Sequence, residues 1–333
     1  MVGPAGDRGS GVGHRGANLG RAGLAGAGLA LLLAGAAGAQ TPAGGPACTV
    51  MRQAQLPLVE SHGRFSVEVS VDDQPLAMLV DTGAQRAAVS PAAASRLQLP
   101  LDPSRTFHTI GVDGRTTGEH PRVARTVRFG PVVWPQYALQ TVNIVRPEQA
   151  GDPAAPVGVI GADMLSAYDV ELDFPARTLT LYAVAGCGGD FIPWTGRHDA
   201  LTPLRGPPDL FILPMTLNGH AIRALLDTGS NTSSLSLGAA RAAGVDAAAL
   251  KGDRTDSYVG SKGVPVGAHR HRFDSLAIGS ARFASPRISV QDADFSAFDM
   301  LLGMDFLAPR RLWLSYSTRQ VFIDLARPAP LAP

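Results

Sequence analysis

Leu79-Val80-Asp81-Thr82-Gly83-Ala84 returns 146 residues later as Leu225-Leu226-Asp227-Thr228-Gly229-Ser230. Each copy is an apolar run, read as a strand, that delivers a carboxylate at its end. A hydroxyl follows, and then a glycine that lets the backbone turn sharply. Two such carboxylates brought face to face share one proton, because like charges about 3 Å apart cannot both ionise cheaply. A pair of that kind can activate water.

The flanks repeat as well. Phe65 to Val71 alternates apolar and polar residues, turns at Asp72-Asp73-Gln74 and returns through Leu76 to Val80. Leu210 to Leu217, Asn218-Gly219 and Ala221 to Leu226 do the same, so the two hairpins are in register. Ser90 and Ser236 are each placed to cap a short Ala-rich helix before Leu99 and Val245. Gly111 and Gly130 match Gly260 and Gly279 at an offset of 149, and Val159-Ile160-Gly161 matches Leu301-Leu302-Gly303 at 142. The closing segments, Leu172 to Leu181 and Leu314 to Ile323, keep that 142. The changes of offset fall in loops, as in a duplicated unit. Each repeat is strand-rich with one or two short helices, which predicts an all-β chain.

With 333 residues, 45% hydrophobic and 17% charged, the chain has enough material for two cores. A formal net charge of +1 gives no reason to expect nucleic acid as a partner. His269-Arg270-His271 is the densest basic cluster and reads as a solvated loop; no metal site and no cofactor is expected. Arg8, Arg15 and Arg21 precede the apolar stretch Leu24 to Ala37, which ends in Ala37-Gly38-Ala39. That pattern predicts a cleaved export signal and a periplasmic or secreted product without stable membrane insertion; an uncleaved inner-membrane anchor is the alternative. In an exported chain, Cys48 and Cys187 suggest one disulfide, with two free thiols as the other reading. The expected divisions are a signal peptide (1–39), a lead-in (40–60) poorly structured as far as Pro57, a first lobe (61–185), a linker (186–200), a second lobe (201–326) and a tail (327–333).

From Phe65 to Ile323 the chain resembles the aspartic proteases, and specifically two retropepsin-like lobes fused in one polypeptide, as in pepsin-like enzymes. Apolar-Asp-Thr-Gly in each lobe, a glycine-bearing hairpin about 30 residues on, and the apolar-apolar-Gly runs carry the resemblance. It implies an acid-protease fold of two β-barrel-like lobes with the active site in the cleft between them. It further implies an aspartic endopeptidase in which Asp81 and Asp227 hold one water, without a covalent intermediate. Thr82 and Thr228 would lock the two loops across the lobe interface, and Gly83 and Gly229 would leave N–H groups for the carboxylates. Ile110-Gly111 and Val259-Gly260 resemble flap tips, with ordinary hairpins as the alternative. The partner would be a peptide, and a fused pair needs no second copy, so a monomer is expected.

The chain departs from both branches of the family. Retroviral enzymes commonly carry Arg-Asn after the glycine, where Asp163 and Asp305 follow one residue later here and are expected to cap short helices. Pepsin-like enzymes carry a first-lobe flap tyrosine, where this chain has Phe107 to Ile110; Tyr258 lies in the second lobe instead. Ser230 has no counterpart in the first copy and is expected to stabilise an ionised Asp227, leaving the proton on Asp81. A non-catalytic peptide-binding module that keeps the fold is the competing class. His-Glu-x-x-His is absent, and no Gly-x-Ser-x-Gly sits on a strand-to-helix turn.

Overall fold

The structure is a computed structural model that describes residues 48–110, 116–144, 152, 155–259, 265–292 and 295–325. The expected export signal lies outside the described residues. Each repeat opens with a hairpin whose return strand ends at its aspartate. Arg64–Val71 pairs antiparallel with Gln74–Val80, and Ile212–Leu217 with His220–Leu226. The turn residues are left-handed in both, Asp72 and Asp73 at φ 48° and 65°, Asn218 and Gly219 at 48° and 82°. Two successive left-handed residues match the twist of the flanking strands, and Asp and Asn tolerate that region better than most side chains. The turn side chains then bind the next layer. Thr126 N donates to Asp72 Oδ1 at 2.9 Å, and Asp274 N to Asn218 Oδ1 at 2.9 Å.

Beyond each aspartate the chain enters a short helix, Pro91–Arg96 or Leu237–Ala242. Ser90 and Ser236 cap them, each Oγ accepting a backbone N–H (Ala93, Ala239) at 3.1 Å. A later strand is then inserted parallel to the aspartate-bearing one: Gly158–Ile160 beside Met78–Val80, and Met300–Leu302 beside Ala224–Leu226. The insertion brings Gly161 and Gly303 alongside the two aspartate loops. These strands belong to a seven-stranded sheet in the first lobe and a nine-stranded sheet in the second. In the first, Arg64–Val71 also pairs with Arg122–Phe129, which folds the sheet back on itself. The all-β, two-lobed acid-protease fold is therefore what the chain adopts.

A third sheet of six strands joins the lobes. The closing segments are hairpins rather than single strands: Asp169–Asp173 with Thr178–Ala185, and Arg311–Ser315 with Gln320–Ile323. They meet edge to edge, Val170 opposite Leu314 and Asp173 opposite Arg311. Charges buried at this seam are all satisfied, as burial demands. Arg311 ion-pairs with Glu171, which also accepts the Tyr182 hydroxyl at 3.1 Å. Asp169 accepts Ser315 Oγ, Ser317 N and Ser317 Oγ, each at 2.8 Å. One apolar core runs from Val67 and Met78 through Val170 and Leu314 to Leu302 and Phe306.

Two expectations about local order are corrected. Thr49–Pro57, read as part of a poorly structured lead-in, is the outer strand of the joining sheet, paired with Thr178–Ala185. Its Pro/Gly-rich flank hid a run whose Ala54 and Leu56 are buried. His269-Arg270-His271 lies within the strand Pro265–Arg272 rather than in a loop. His271 Nδ1 is 2.6 Å from Asp253 Oδ2, and His269 Nε2 is 3.6 Å from Asp292 Oδ1.

Cys48 and Cys187 form a disulfide that closes a separation of 139 residues at the end of the outer strand. Cys48→Ser/Cys187→Ser should lower the unfolding free energy by about 2–4 kcal/mol, because the unfolded chain regains a long loop. Urea denaturation of the oxidised wild type and the double variant measures it.

Candidate active site

Two loops of identical shape meet at the lobe boundary. The Thr82 hydroxyl donates to the Leu226 carbonyl at 2.7 Å, and the Thr228 hydroxyl to the Val80 carbonyl at 2.6 Å. Each hydroxyl oxygen also accepts the opposite threonine's N–H at 3.1 Å. Both threonines are 1% exposed, so the four bonds form in a dry, low-dielectric setting. The aspartates preceding them are tied to the inserted strands, Asp81 N to the Ile160 carbonyl and Asp227 N to the Leu302 carbonyl, both at 3.1 Å.

That lattice fixes the carboxyl groups opposite one another, where they hydrogen-bond across the boundary. The glycines are required by close approach rather than by backbone angle. A Cβ on Gly83 would stand 2.6 Å from Asp227 Cγ, and one on Gly229 would collide with Asp81. Each glycine therefore leaves room for the other lobe's carboxylate, besides donating its N–H at 2.9 Å to its own.

The next layer comes from a pair of residues expected to act otherwise. Asp163 and Asp305 do not cap the helices Ala162–Leu165 and Met304–Leu307, whose N-cap positions are glycines without side-chain caps. From the first turn, where Asp305 Oδ1 also accepts Phe306 N at 2.9 Å, they reach across to the aspartate loops: Ala87 N donates to Asp163 Oδ1 at 2.8 Å, and Ser233 N and Oγ to Asp305 Oδ1 at 2.8 and 2.6 Å. In return the first N–H groups of these helices, which have no intrahelical partner, donate to loop carbonyls. Ala162 N bonds Ala84 O and Met304 N bonds Ser230 O, both at 2.8 Å. Gly161 and Gly303 are pressed so closely to the loops that a Cβ on Gly303 would lie 2.7 Å from Thr232 C. The hydroxyl of the half-buried Tyr137 adds a bond to Asp163. Asp163 and Asp305 share the 142 offset, and that was the signal in the sequence for a common role.

The scaffold is two-fold, but the electrostatics are not. Burial pushes both carboxyls above their ordinary value of 3.8. For Asp81, N–H donors from Ala84 and Gly83, the bond from Asp227 and the Arg64 charge oppose that rise. For Asp227, the Asp81 charge adds to burial, and its value goes well above the ordinary one. The Ser230 hydroxyl donates to the Thr232 carbonyl at 2.9 Å rather than to Asp227, so it does not give Asp227 the support expected of it; only the Ser230 backbone N–H does. Arg64 is 6% exposed at the head of its strand; its counterpart in the second lobe, 146 residues on, is the buried Leu210.

Of the flap candidates, Ile110 ends the strand Phe107–Ile110, which pairs with Thr116–Glu119, and Val259 ends Arg254–Val259, which pairs with Pro265–Arg272. Gly111 and Gly260 lie outside the described residues. Phe107, at the root of the first hairpin, is covered by the Arg86 guanidinium 4.2 Å from its ring centroid.

The family model described as aspartyl protease matches residues 67–164 and 213–306, one segment in each lobe. The chain belongs to the aspartyl protease family. No curated protein matches it. Among solved structures it is similar to an aspartic proteinase from Irpex lacteus, at 14% identity and a TM-score of 0.48 over 83% of this chain and 97% of that one. Family membership gives the protein a proteolytic role in general terms. No helix among the described residues is long and apolar enough to cross a membrane.

The raised value of Asp227 fixes the sign of a pH dependence. A carboxyl whose pKa is higher folded than unfolded contributes stability below its unfolded value, and loses it as pH rises through the folded one. Asp227→Asn removes that loss. The melting temperature of the variant should therefore gain on wild type as pH is raised from about 4, a comparison made by thermal denaturation across buffers.

Proposed function

We propose that the protein is an endopeptidase in which Asp81 and Asp227 share one water and one proton. The observation that carries the reading is the crossed threonine lattice, which sets two carboxyl groups face to face with unequal proton affinity. Asp81, ionised, takes a proton from the water as its oxygen attacks the peptide carbonyl carbon. Asp227 hands its proton to the carbonyl oxygen, giving a neutral tetrahedral diol. In the collapse, Asp81 returns its proton to the leaving nitrogen, the C–N bond breaks, and a diol hydroxyl reprotonates Asp227. Each proton is returned, so the dyad ends as it began.

Thr82 and Thr228 act here as positioning residues, and Gly83 and Gly229 as donors and spacers. Ser230 enters through the loop, its carbonyl accepting Met304 N and its hydroxyl bracing Thr232. The hairpins ending at Ile110 and Val259 are the proposed flaps over an extended peptide, with Gly111 and Gly260 at their tips. Export is supported by the basic-then-apolar leader together with the Cys48–Cys187 disulfide, which persists in oxidising compartments. Because one chain supplies both aspartates, a monomer suffices.

Cleavage of a peptide library by the chain from Gln40 onward, between about pH 3 and 8, tests the reading. Asp81→Asn and Asp227→Asn should each lower kcat/KM by at least about 10²–10⁴-fold. A folded wild type that cleaves nothing at any pH would favour the peptide-binding module; activity surviving in either variant would refute the shared dyad. Arg64→Leu makes a finer claim. Removing the cation weakens the pull that holds Asp81 ionised, so the acidic limb of the pH–kcat/KM profile should move to higher pH.

A further inference from the structure

We propose that the second lobe carries an anion site for a phosphoryl-bearing ligand, built by Arg254, Arg270, Arg272 and Arg287 and separate from the aspartate pair. These four line one cavity of about 340 Å³, together with Gly252 and Asp253. Strand register places their side chains on one face of the sheet. Arg254 stands opposite Arg270 and Arg272 opposite Arg287, while Arg270 and Arg272 are two apart on one strand. Successive residues of a strand alternate faces, so directly opposed and i, i+2 positions share one. Like charges directly opposite each other are destabilising in a sheet.

The fold does not need this arrangement. At the offset of 149 that relates the two lobes here, the pair corresponding to Arg272 and Arg287 is Val123 and Ala138, opposed in the same way in the first lobe. A small apolar pair serves there; two cations replace it in the second lobe.

The local acids do not balance the four cations. Asp253 holds His271 Nδ1 at 2.6 Å, and Asp256 lies 3.3 Å from Arg254 Nε. Asp305 acts on Arg270 from within its own loop contacts. Among the described residues no acidic side chain forms an ion pair with Arg272 or Arg287, both exposed. Several guanidinium forks converging from different strands suit a tetrahedral oxyanion, which accepts donors from many directions, better than a planar carboxylate. The cavity has room for more than one phosphoryl group, so a polyphosphate or a phosphate ester of a compact polar body fits the site.

The test is isothermal titration of the oxidised chain with inorganic pyrophosphate at fixed ionic strength, beside sedimentation with phosphatidylcholine vesicles with and without phosphatidate. Saturable pyrophosphate binding that weakens at least tenfold in Arg272→Ala/Arg287→Ala supports the site. Both residues are exposed and outside the core, and Arg272→Gln/Arg287→Gln repeats the test with longer side chains should the alanine variant misfold. Binding of pyrophosphate without retention on phosphatidate vesicles assigns a soluble phosphate ligand. Retention that the same substitutions abolish assigns a lipid headgroup. No binding of either probe, or binding unchanged in the folded double variants, overturns the proposal. Asp81→Asn should bind pyrophosphate like wild type, so the outcome is independent of whether the dyad cleaves peptides.

Discussion

Four hydrogen bonds that two buried threonines make across the lobe boundary hold the rest of the structure to its purpose. Neither Thr82 nor Thr228 can be satisfied within its own lobe, because its hydroxyl donates to a carbonyl of the opposite lobe and accepts an N–H from it. A buried hydroxyl left unpaired costs about 1–3 kcal/mol, so separating the lobes would be penalised at both loops at once. The same bonds bring Gly83 and Gly229 under the opposite carboxylates, where no larger residue fits. The distance between the acids is therefore a consequence of the lattice, the glycines and the inserted strands together. The six-stranded joining sheet and the disulfide hold that geometry from below.

Upon this two-fold frame the chain places an uneven charge distribution. Two identical carboxyl environments would leave the shared proton divided evenly between them. Arg64 in one lobe, where the other has Leu210, is a difference between them, whereas each aspartate has two backbone donors, Gly83 and Ala84 for Asp81 and Gly229 and Ser230 for Asp227. The Ser230 side chain, the visible difference within the two motifs, adds none, since its hydroxyl is spent on Thr232. A charge that favours an ionised Asp81 thus lies 17 residues upstream of it, at the head of the strand paired with its own.

This explains which parts were legible in the sequence. The hairpins, the serine caps, the paired Asp-Thr-Gly loops and the apolar-apolar-Gly strands all leave marks at constant offset, because each depends on local chemistry that the duplication copied. In the joining sheet only the closing hairpins left such marks, Leu172 to Leu181 and Leu314 to Ile323. Its outer strand Thr49–Pro57 has only a short counterpart at the opposite edge, Asp199–Leu201, and the pairing of each is fixed by tertiary contact, with Thr178–Ala185 and Gln320–Ile323, rather than by its own pattern. Asp163 and Asp305 were visible as a pair but misread, since a carboxylate in the first turn of a helix normally serves that helix. Here glycine occupies the cap, and the carboxylate, while keeping a bond to its own first turn in Asp305, reaches the neighbouring loop. The role of Arg64 required knowing that the head of its strand passes Asp81, which no spacing rule supplies.

Fusion of the two lobes is what permits such differences. In an assembly of identical subunits, any residue placed beside one aspartate is placed beside both, so an arginine at the position of Arg64 would act on each carboxyl equally. In one chain the copies drift apart: Arg64 against Leu210 polarises the dyad, and Arg272 and Arg287 against Val123 and Ala138 charge the surface of one lobe only. Among the positions that stayed alike are those at the boundary, where a change in one lobe is felt at once in the other: Thr82 and Thr228, bonded across it, and Gly83 and Gly229, each packed against the opposite carboxylate. Symmetry is kept in this chain where the lobes hold each other, and away from the boundary where the local fold requires the same residue twice, as at Ser90 and Ser236.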